Sequence, residues 1–379
     1  MVEFVRNAWF AIAYSGEVAS TPFARTAFSR EMVVFRTAAG TPVVLDNRCP
    51  HKSAPLAMGH VAGDAIECPY HGLRFASDGR CIHIPGQPVI PQGARVRSYP
   101  TAERYGLIWF WPGDPALAAR TPPVEFRHFG APGWTVFHGP YLNFPTNIWN
   151  ILDNLVDPAH TSFVHQKTIG GAQAADVPLV TEQDGDVITV GRWIDNSDPV
   201  PVMKRFGGFK GNVDRWQIYQ LHAPNISLVD MGAVDAGSDR SEENRDRGYR
   251  TFSYAALTPE GEGSTHYFWL VIRNFAPGDV AVSREMIATY ISTFDEDRAL
   301  LREIERLQTE GEARPLRLAI DNATTRMRQL VRRKLEIERA PAASDRHSGE
   351  RHSGERLSSD PGPGAPEAKP SVPQPSQTV

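Results

Sequence analysis

Residues 49–72 read CPHKSAPLAMGHVAGDAIECPYHG, and this stretch decides the architecture of the N-terminal part of the chain. Cys49-Pro50-His51 is followed, after sixteen residues, by Cys68-Pro69-Tyr70-His71. Each half therefore brings one thiol and one imidazole to a tight, proline-marked loop. Two such loops facing each other can wrap one small metal centre. Short β-prone segments surround them, at Met32–Arg36, Pro42–Leu45 and Gly106–Trp111. Turn signals at Ala39-Gly40, Asp46-Asn47 and Ser77-Asp78-Gly79 separate these segments. The pattern predicts a compact all-β module over residues 1–115, closed by the breaker Trp111-Pro112-Gly113-Asp114-Pro115.

Three readings compete for Cys49, His51, Cys68 and His71. The cysteines could be buried apolar residues and the histidines ordinary loop residues. The four could hold a tetrahedral zinc ion, although zinc sites usually pair Cys with Cys and His with His, and the order here is Cys, His, Cys, His. The third reading is a [2Fe–2S] cluster in which two neutral imidazoles replace thiolates on one iron and so raise its reduction potential. The spacing closely resembles the Rieske iron–sulfur motif, and the flanking Pro50, Pro69, Tyr70 and Gly72 fit it. Cys81 lies outside the pattern and is expected in the core.

Beyond residue 115 the reading becomes mixed. Asn147–Asp157 is helical in pattern. Val187–Ile194, Trp216–Leu221, Ile226–Met231, Thr251–Leu257 and Thr265–Phe275 read as strands of one antiparallel sheet. Ser283–Thr309 is the clearest helix, with an apolar stripe at Ile287, Ile291, Phe294, Leu301, Ile304 and Leu307. A basic helix is expected over Leu316–Arg339. From 341 to 379 large apolar residues nearly vanish, so this tail, with His347 and His352 in its RHSGE repeats, is predicted to be disordered and solvated. The expected division is thus 1–115, 116–340 and a tail at 341–379.

A second constellation lies in the middle of the chain. In the segment NILDNLVDPAHTSFVH, residues 150–165, Asp153, Asn154, Asp157 and His160 step by three or four, placing polar atoms on one predicted helical face. Buried charge is costly unless paired or bound to metal, so a polar stripe broken by Ile151, Leu155 and Val156 suggests an internal site. His160 and His165 could supply two ligands of a two-histidine, one-carboxylate iron site with open positions. Asp297 is the candidate third ligand, because it occupies the apolar stripe of the long helix between Phe294 and Leu301. The bland alternative is polar packing near a helix end. A cluster that donates electrons needs an acceptor, which favours the metal reading. Of the other histidines, His266 is the one to test for substrate contact.

Bulk properties narrow the class. The chain has 379 residues, enough for two or three domains, and 41% hydrophobic and 22% charged residues, as in ordinary globular proteins. A net charge of −4 argues against a nucleic-acid partner. No run of about eighteen apolar residues predicts a membrane span, and the N-terminus does not read as a signal peptide. Three cysteines are too few for a disulfide scaffold and suggest a reducing, cytoplasmic setting.

These motifs together resemble one family, the oxygenase components of the Rieske non-haem iron oxygenases, especially the vanillate and dicamba O-demethylase branch. The resemblance runs from Arg6-Asn7-Ala8-Trp9 through the cluster motif and Arg104–Trp109. It continues through Asp153–Asp157, His160 and His165, and resumes at Thr265–Trp269, Arg273–Phe275 and Glu296-Asp297. It implies an α+β protein: an N-terminal all-β Rieske domain and a helix-grip catalytic domain with an antiparallel sheet and long C-terminal helices. It further implies a [2Fe–2S] cluster, a mononuclear non-haem Fe(II), and a head-to-tail homotrimer. In that trimer Asp157 would bridge His71 of one chain and His160 of the next.

The implied reaction uses O₂ and electrons from an NAD(P)H-dependent reductase or ferredoxin to hydroxylate a small aromatic substrate, with O- or N-demethylation releasing formaldehyde. Ring hydroxylation or dihydroxylation, and a Rieske electron carrier without oxygenase activity, are the alternatives. Phe252–Leu257 lacks the histidine that the dicamba enzyme presents there, and Ala288 and Tyr290 stand where an aromatic clamp is expected. The substrate is therefore left open.

Overall fold

The computed structural model describes residues 3–166, 168–311 and 316–340. The tail expected at 341–379, with His347 and His352, lies outside the described residues.

Alternating apolar residues and tight turns build three small sheets in the N-terminal part. Phe23–Ala27, Arg30–Arg36, Pro42–Asp46 and Ser98–Tyr99 form one, and Phe10–Tyr14, Leu107–Phe110 and Thr101–Arg104 a second. His60–Ala62, Ala65–Glu67, Arg74–Ala76 and Cys81–His83 form the third, which carries the two Cys/His loops. The predicted turn at Ser77–Gly79 needs its glycine. Gly79 has φ +80°, and a Cβ there would stand 2.0 Å from the Val96 carbonyl oxygen. Val33, Phe35, Leu45, Leu56, Ile66 and Phe75 pack around Cys49 and Cys68, and Cys81 joins them in the core as expected.

The larger part is an eight-stranded antiparallel sheet. Its central strands are Val187–Ser197, Val213–His222, Ile226–Asp235, Tyr249–Gly261 and Ser264–Arg273, each paired with the next. Thr135–His138 and Leu142–Phe144 add to one edge and Val180–Asp184 to the other. The sequence reading missed these three edge strands, because short segments with a mixed polar face carry little periodic signal.

Both faces of the sheet are covered. On one lie the long helix Val280–Glu310 and the terminal helix Asn322–Arg339, whose Met286, Tyr290, Phe294, Leu301, Met327 and Leu330 share a core with Ile188, Tyr219, Leu257, Tyr267 and Trp269. On the other face, Ala11, Tyr105, Leu107 and Trp109 of the N-terminal part pack on Leu228, Phe252, Tyr254 and Leu270. A sheet buried on both sides accounts for the apolar run Tyr267–Ile272 within the strand Ser264–Arg273.

The chain leaves its N-terminal sheet at the expected breaker, where Asp114 caps a short helix by accepting from Ala116 N at 2.9 Å. The parts before and after it nevertheless share this second core. Among the described residues no helix is long and apolar enough to cross a membrane.

Candidate metal centres

The two N-terminal loops are closed by backbone hydrogen bonds. Cys49 N–H donates to Ala54 O at 2.9 Å, and Ser53 N–H returns to Cys49 O at 3.0 Å. Cys68 N–H donates to Leu73 O at 2.8 Å, and Gly72 N–H to Cys68 O at 3.1 Å. Both sulfurs are buried and neighbour each other. The two imidazoles are exposed, with ring centroids 4.6 Å apart. Burial pushes the Cys49 thiol up to about 11, while backbone N–H groups of His51 and Lys52 pull the other way and Cys68 raises it further. Such donors stabilise a thiolate sulfur once a cation is present. The donor set, thiols inward and imidazoles outward, fits a small cluster that presents its histidine side to the surface.

The second centre is assembled from three segments. Asn147 caps the helix Ile148–Leu155, accepting from Asn150 N at 3.1 Å. The helix stops there because Pro158 disfavours helical backbone at Asp157. The expected helical stripe from Asp153 to His160 therefore does not exist as one face. Asp153 turns away and pairs with Arg328 of the terminal helix, and burial holds its carboxyl above the usual range despite that arginine. Asn154 stays at the site, where its Nδ2 donates to Asp297 Oδ1 at 3.0 Å.

His160 and His165 flank the single turn Thr161–Val164. The chain then doubles back through Gly170, whose N–H donates to His165 O at 2.8 Å; a Cβ there would lie 2.1 Å from Thr161 O. Asp297 faces them from the long helix with 6% exposure, in the stripe position expected of it. Leu307, by contrast, is exposed and not part of that stripe's buried face.

Ligand atoms of His160, His165 and Asp297 all lie within 4.8 Å of one another. The Nε2 atoms of His165 and His160 stand 3.2 and 3.7 Å from Asp297 Oδ1. Each opposite ring nitrogen meets an acceptor oxygen, a carboxylate oxygen at His165 and a backbone carbonyl at His160. His165 Nδ1 meets Glu296 Oε2 at 2.8 Å, and His160 Nδ1 meets the backbone carbonyl of Asp157. With Nδ1 protonated in both rings, the Nε2 lone pairs turn toward the Asp297 carboxylate. Between these Nε2 atoms and the carboxylate either a proton or a metal cation must sit, and two imidazoles with one carboxylate are a donor set that fits a divalent metal with open positions.

Burial opposes charge on both imidazoles, and it wins at His160, which is held below the ordinary histidine value. At His165 burial is outweighed by Asp297 and Glu296, which hold the ring above it. Burial also raises Asp157, whose carboxylate accepts from Ala159 N at 2.8 Å and stands 4.0 Å from His160 Nδ1.

A cavity opens from this centre, walled by Leu155, Tyr219, Val229, Tyr267, Tyr290 and Phe294. The largely apolar, aromatic-rich lining is of the kind that receives an aromatic molecule. Ser227 Oγ lines it with no hydrogen-bond partner among the described residues. The expected test residue His266 is not there. Strand alternation turns Tyr267 and Trp269 to the cavity face and His266 to the other, where its ring contacts Tyr141 Oη and Thr26 O, each at 2.6 Å. Sequence reasoning also passed over Glu296, which lies off the apolar stripe but beside Asp297.

Comparison with known proteins adds the following. Residues 8–100 match the Rieske [2Fe–2S] domain, and residues 144–336 match the vanillate O-demethylase oxygenase C-terminal domain. The oxygenase component of chloroacetanilide N-alkylformylase from Rhizorhabdus wittichii is 39% identical over 345 residues, 88% of this chain and 95% of that one. A toluene-4-sulfonate monooxygenase system iron–sulfur subunit from Comamonas testosteroni is 35% identical over 346 residues, 90% of this chain and 99% of that one. The crystal structure of dicamba monooxygenase bound to 3,6-dichlorosalicylic acid superposes with a TM-score of 0.80 at 29% identity, covering 89% of this chain and 99% of that one.

Proposed function

We propose how this protein works from one premise: the chain belongs to the Rieske non-haem iron oxygenases, in the branch of the vanillate and dicamba O-demethylase oxygenase components. It is an oxygenase component with a Rieske [2Fe–2S] cluster and a mononuclear non-haem iron. When bound, the cluster supplies electrons one at a time and the iron supplies oxygen activation.

In our reading Cys49, His51, Cys68 and His71 hold the cluster, and His160, His165 and Asp297 hold the iron. Residues 1–115 form the cluster portion and 116–340 the iron portion. The substrate is a small aromatic compound, and the reaction is oxidative O- or N-demethylation with release of formaldehyde. The observation that carries this is the convergence of two Nε2 lone pairs and a buried carboxylate at the end of an aromatic-walled cavity.

The remaining residues act on that centre. Glu296 and the Asp157 carbonyl fix the imidazole tautomers and leave Nε2 free. Asn154 orients Asp297. Tyr219, Tyr267 and Phe294 keep bulk water from the reacting carbon. Asp157, with a side chain 28% exposed, is placed to accept from His71 of the partner subunit in a homotrimer and couple the two centres. The exposure of His51 and His71 supports that arrangement. Reduced cysteines favour a cytoplasmic setting, where an NAD(P)H-dependent reductase or ferredoxin delivers electrons.

The test is turnover with a reductase across methoxylated and N-methylated aromatics, reading formaldehyde against O₂ consumed. Stoichiometric formaldehyde is expected. Ring-oxygenated product without formaldehyde would replace demethylation by ring hydroxylation. Two irons per chain instead of three would reduce the protein to an electron carrier.

A further inference from the structure

Ser227 is 1% exposed, yet its hydroxyl has no hydrogen-bond partner among the described residues. The strand register explains why. Its cross-strand neighbours are Leu221 on one side and Ala255 on the other, and neither side chain carries a polar atom. Val229, the next residue on the same face of the strand, is apolar as well. A buried hydroxyl left in that state is costly, and its single O–H is a donor in need of an acceptor.

The residue belongs to the iron cavity, which His160, His165 and Asp297 also line. Ser227 stands on the sheet that floors this cavity, whereas Asp297 comes from the long helix that covers it. Those three iron-site groups aside, every described side chain in the lining is neutral. Asn154, Thr161 and Thr293 spend their donors elsewhere. Asn154 Nδ2 donates to Asp297 Oδ1, Thr161 Oγ1 to Pro158 O at 2.7 Å, and Thr293 Oγ1 to Thr289 O at 3.0 Å. Ser253, paired with Val229 on the next strand, adds a second hydroxyl to the floor. An anion seated on this floor would meet no counter-charge, and its desolvation would go uncompensated. A neutral acceptor would meet a donor that has nothing else to bond.

We infer that Ser227 is a specificity-determining residue, whose hydroxyl donates to a carbonyl on an uncharged aromatic substrate. This rests on the oxygenase reading above and adds the substrate class to it. The hydrogen bond satisfies the stranded hydroxyl and sets which end of the molecule turns toward the iron. The apolar neighbours receive the aromatic body.

The test is calorimetric binding to the metal-loaded protein without reductase, so that nothing turns over. The probes are 4-methoxyacetophenone, its acceptor-free isostere 4-isopropenylanisole, and the anion 4-methoxybenzoate. Wild type is expected to bind the ketone at least as tightly as the more apolar alkene, and about tenfold or more tighter than the anion. Ser227→Ala is expected to shift the balance between ketone and alkene about fivefold toward the alkene, the worth of one neutral hydrogen bond. Ser227→Thr, which keeps the hydroxyl, is expected to keep the ketone preference. Because the hydroxyl bonds nothing in the free protein, the ligand-free alanine variant is expected to melt no lower than wild type.

Wild type that prefers the alkene, or binds the anion as tightly as the ketone, overturns the inference whether or not the variants fold. So does an alanine variant with the ketone preference intact. So does one that melts lower without ligand, since the hydroxyl is then already bonded within the protein. Formaldehyde is read separately: a ketone that binds through Ser227 and yields none on reduction leaves the residue in its role and sinks the demethylase reading instead.

Discussion

Glu296 precedes Asp297 on the long helix and meets the same histidine from the other side. A helical step of about 100° per residue carries the two carboxylates to different flanks. Asp297 Oδ1 then faces His165 Nε2 at 3.2 Å, and Glu296 Oε2 faces Nδ1 at 2.8 Å. Carboxylates behind metal-binding imidazoles set the tautomer and raise ligand basicity. Glu296→Gln is therefore expected to weaken iron binding roughly ten- to a hundredfold and to leave the red-brown cluster absorption unchanged. Iron titration of the variant checks this, and wild-type affinity would remove Glu296 from the site. Asp297 was readable because a carboxylate interrupts an apolar stripe. Glu296 was not, because nothing in its spacing distinguishes it from a solvated acid.

At the level of elements, the helix Ile148–Leu155 is tied to the long helix by Glu305. Its Oε2 accepts from Thr146 Oγ1 at 2.8 Å, Asn147 N at 3.0 Å and Asn150 Nδ2 at 2.9 Å. Thr146 is buried, so removing the acceptor strands its hydroxyl donor, while Asn150 Nδ2 keeps Thr146 Oγ1 and Gln308 Oε1, each at 3.1 Å. Glu305→Ala is expected to lower stability by about 3 kcal/mol. Chemical denaturation measures it, and a change near zero would show that water replaces the carboxylate. The clasp holds the segment that presents Asn154 and leads into His160, so the variant should also loosen iron. Strand parity works at the same scale. His266 and Tyr267 are adjacent, yet one faces the N-terminal part and the other the cavity, because side chains alternate across a pleated sheet. A strand apolar on both faces hides that parity from the eye, so the sequence offers His266 for a substrate-contact test without saying which face it takes.

For the molecule as a whole, the exposed His51 and His71 lie on one part and a partly exposed Asp157 on another. A head-to-tail ring of three copies would bring such surfaces together across each heterologous interface. If electrons cross between chains, a Cys68→Ser chain with no cluster and a His160→Ala chain with no iron should be inactive alone. Co-expressed, they should regain activity, because some interfaces then pair an intact cluster with an intact iron. Turnover and sedimentation of the mixed assembly check this. Mixtures as inactive as the separate variants would confine electron transfer to one chain or remove the ring.

The order of residues was enough to expose the Cys/His loops, the two central histidines, Asp297 and the strand-rich plan, because each is a local pattern: a fixed ligand spacing, an interrupted stripe, a run of β-prone residues. Packing decided the rest. That Asp153 belongs to Arg328, that Glu296 backs His165, and that the two parts share a core all depend on groups far apart in the chain. Such pairings arise only when segments dock, since hydrogen bonds and charge compensation act through space and leave no period in the sequence.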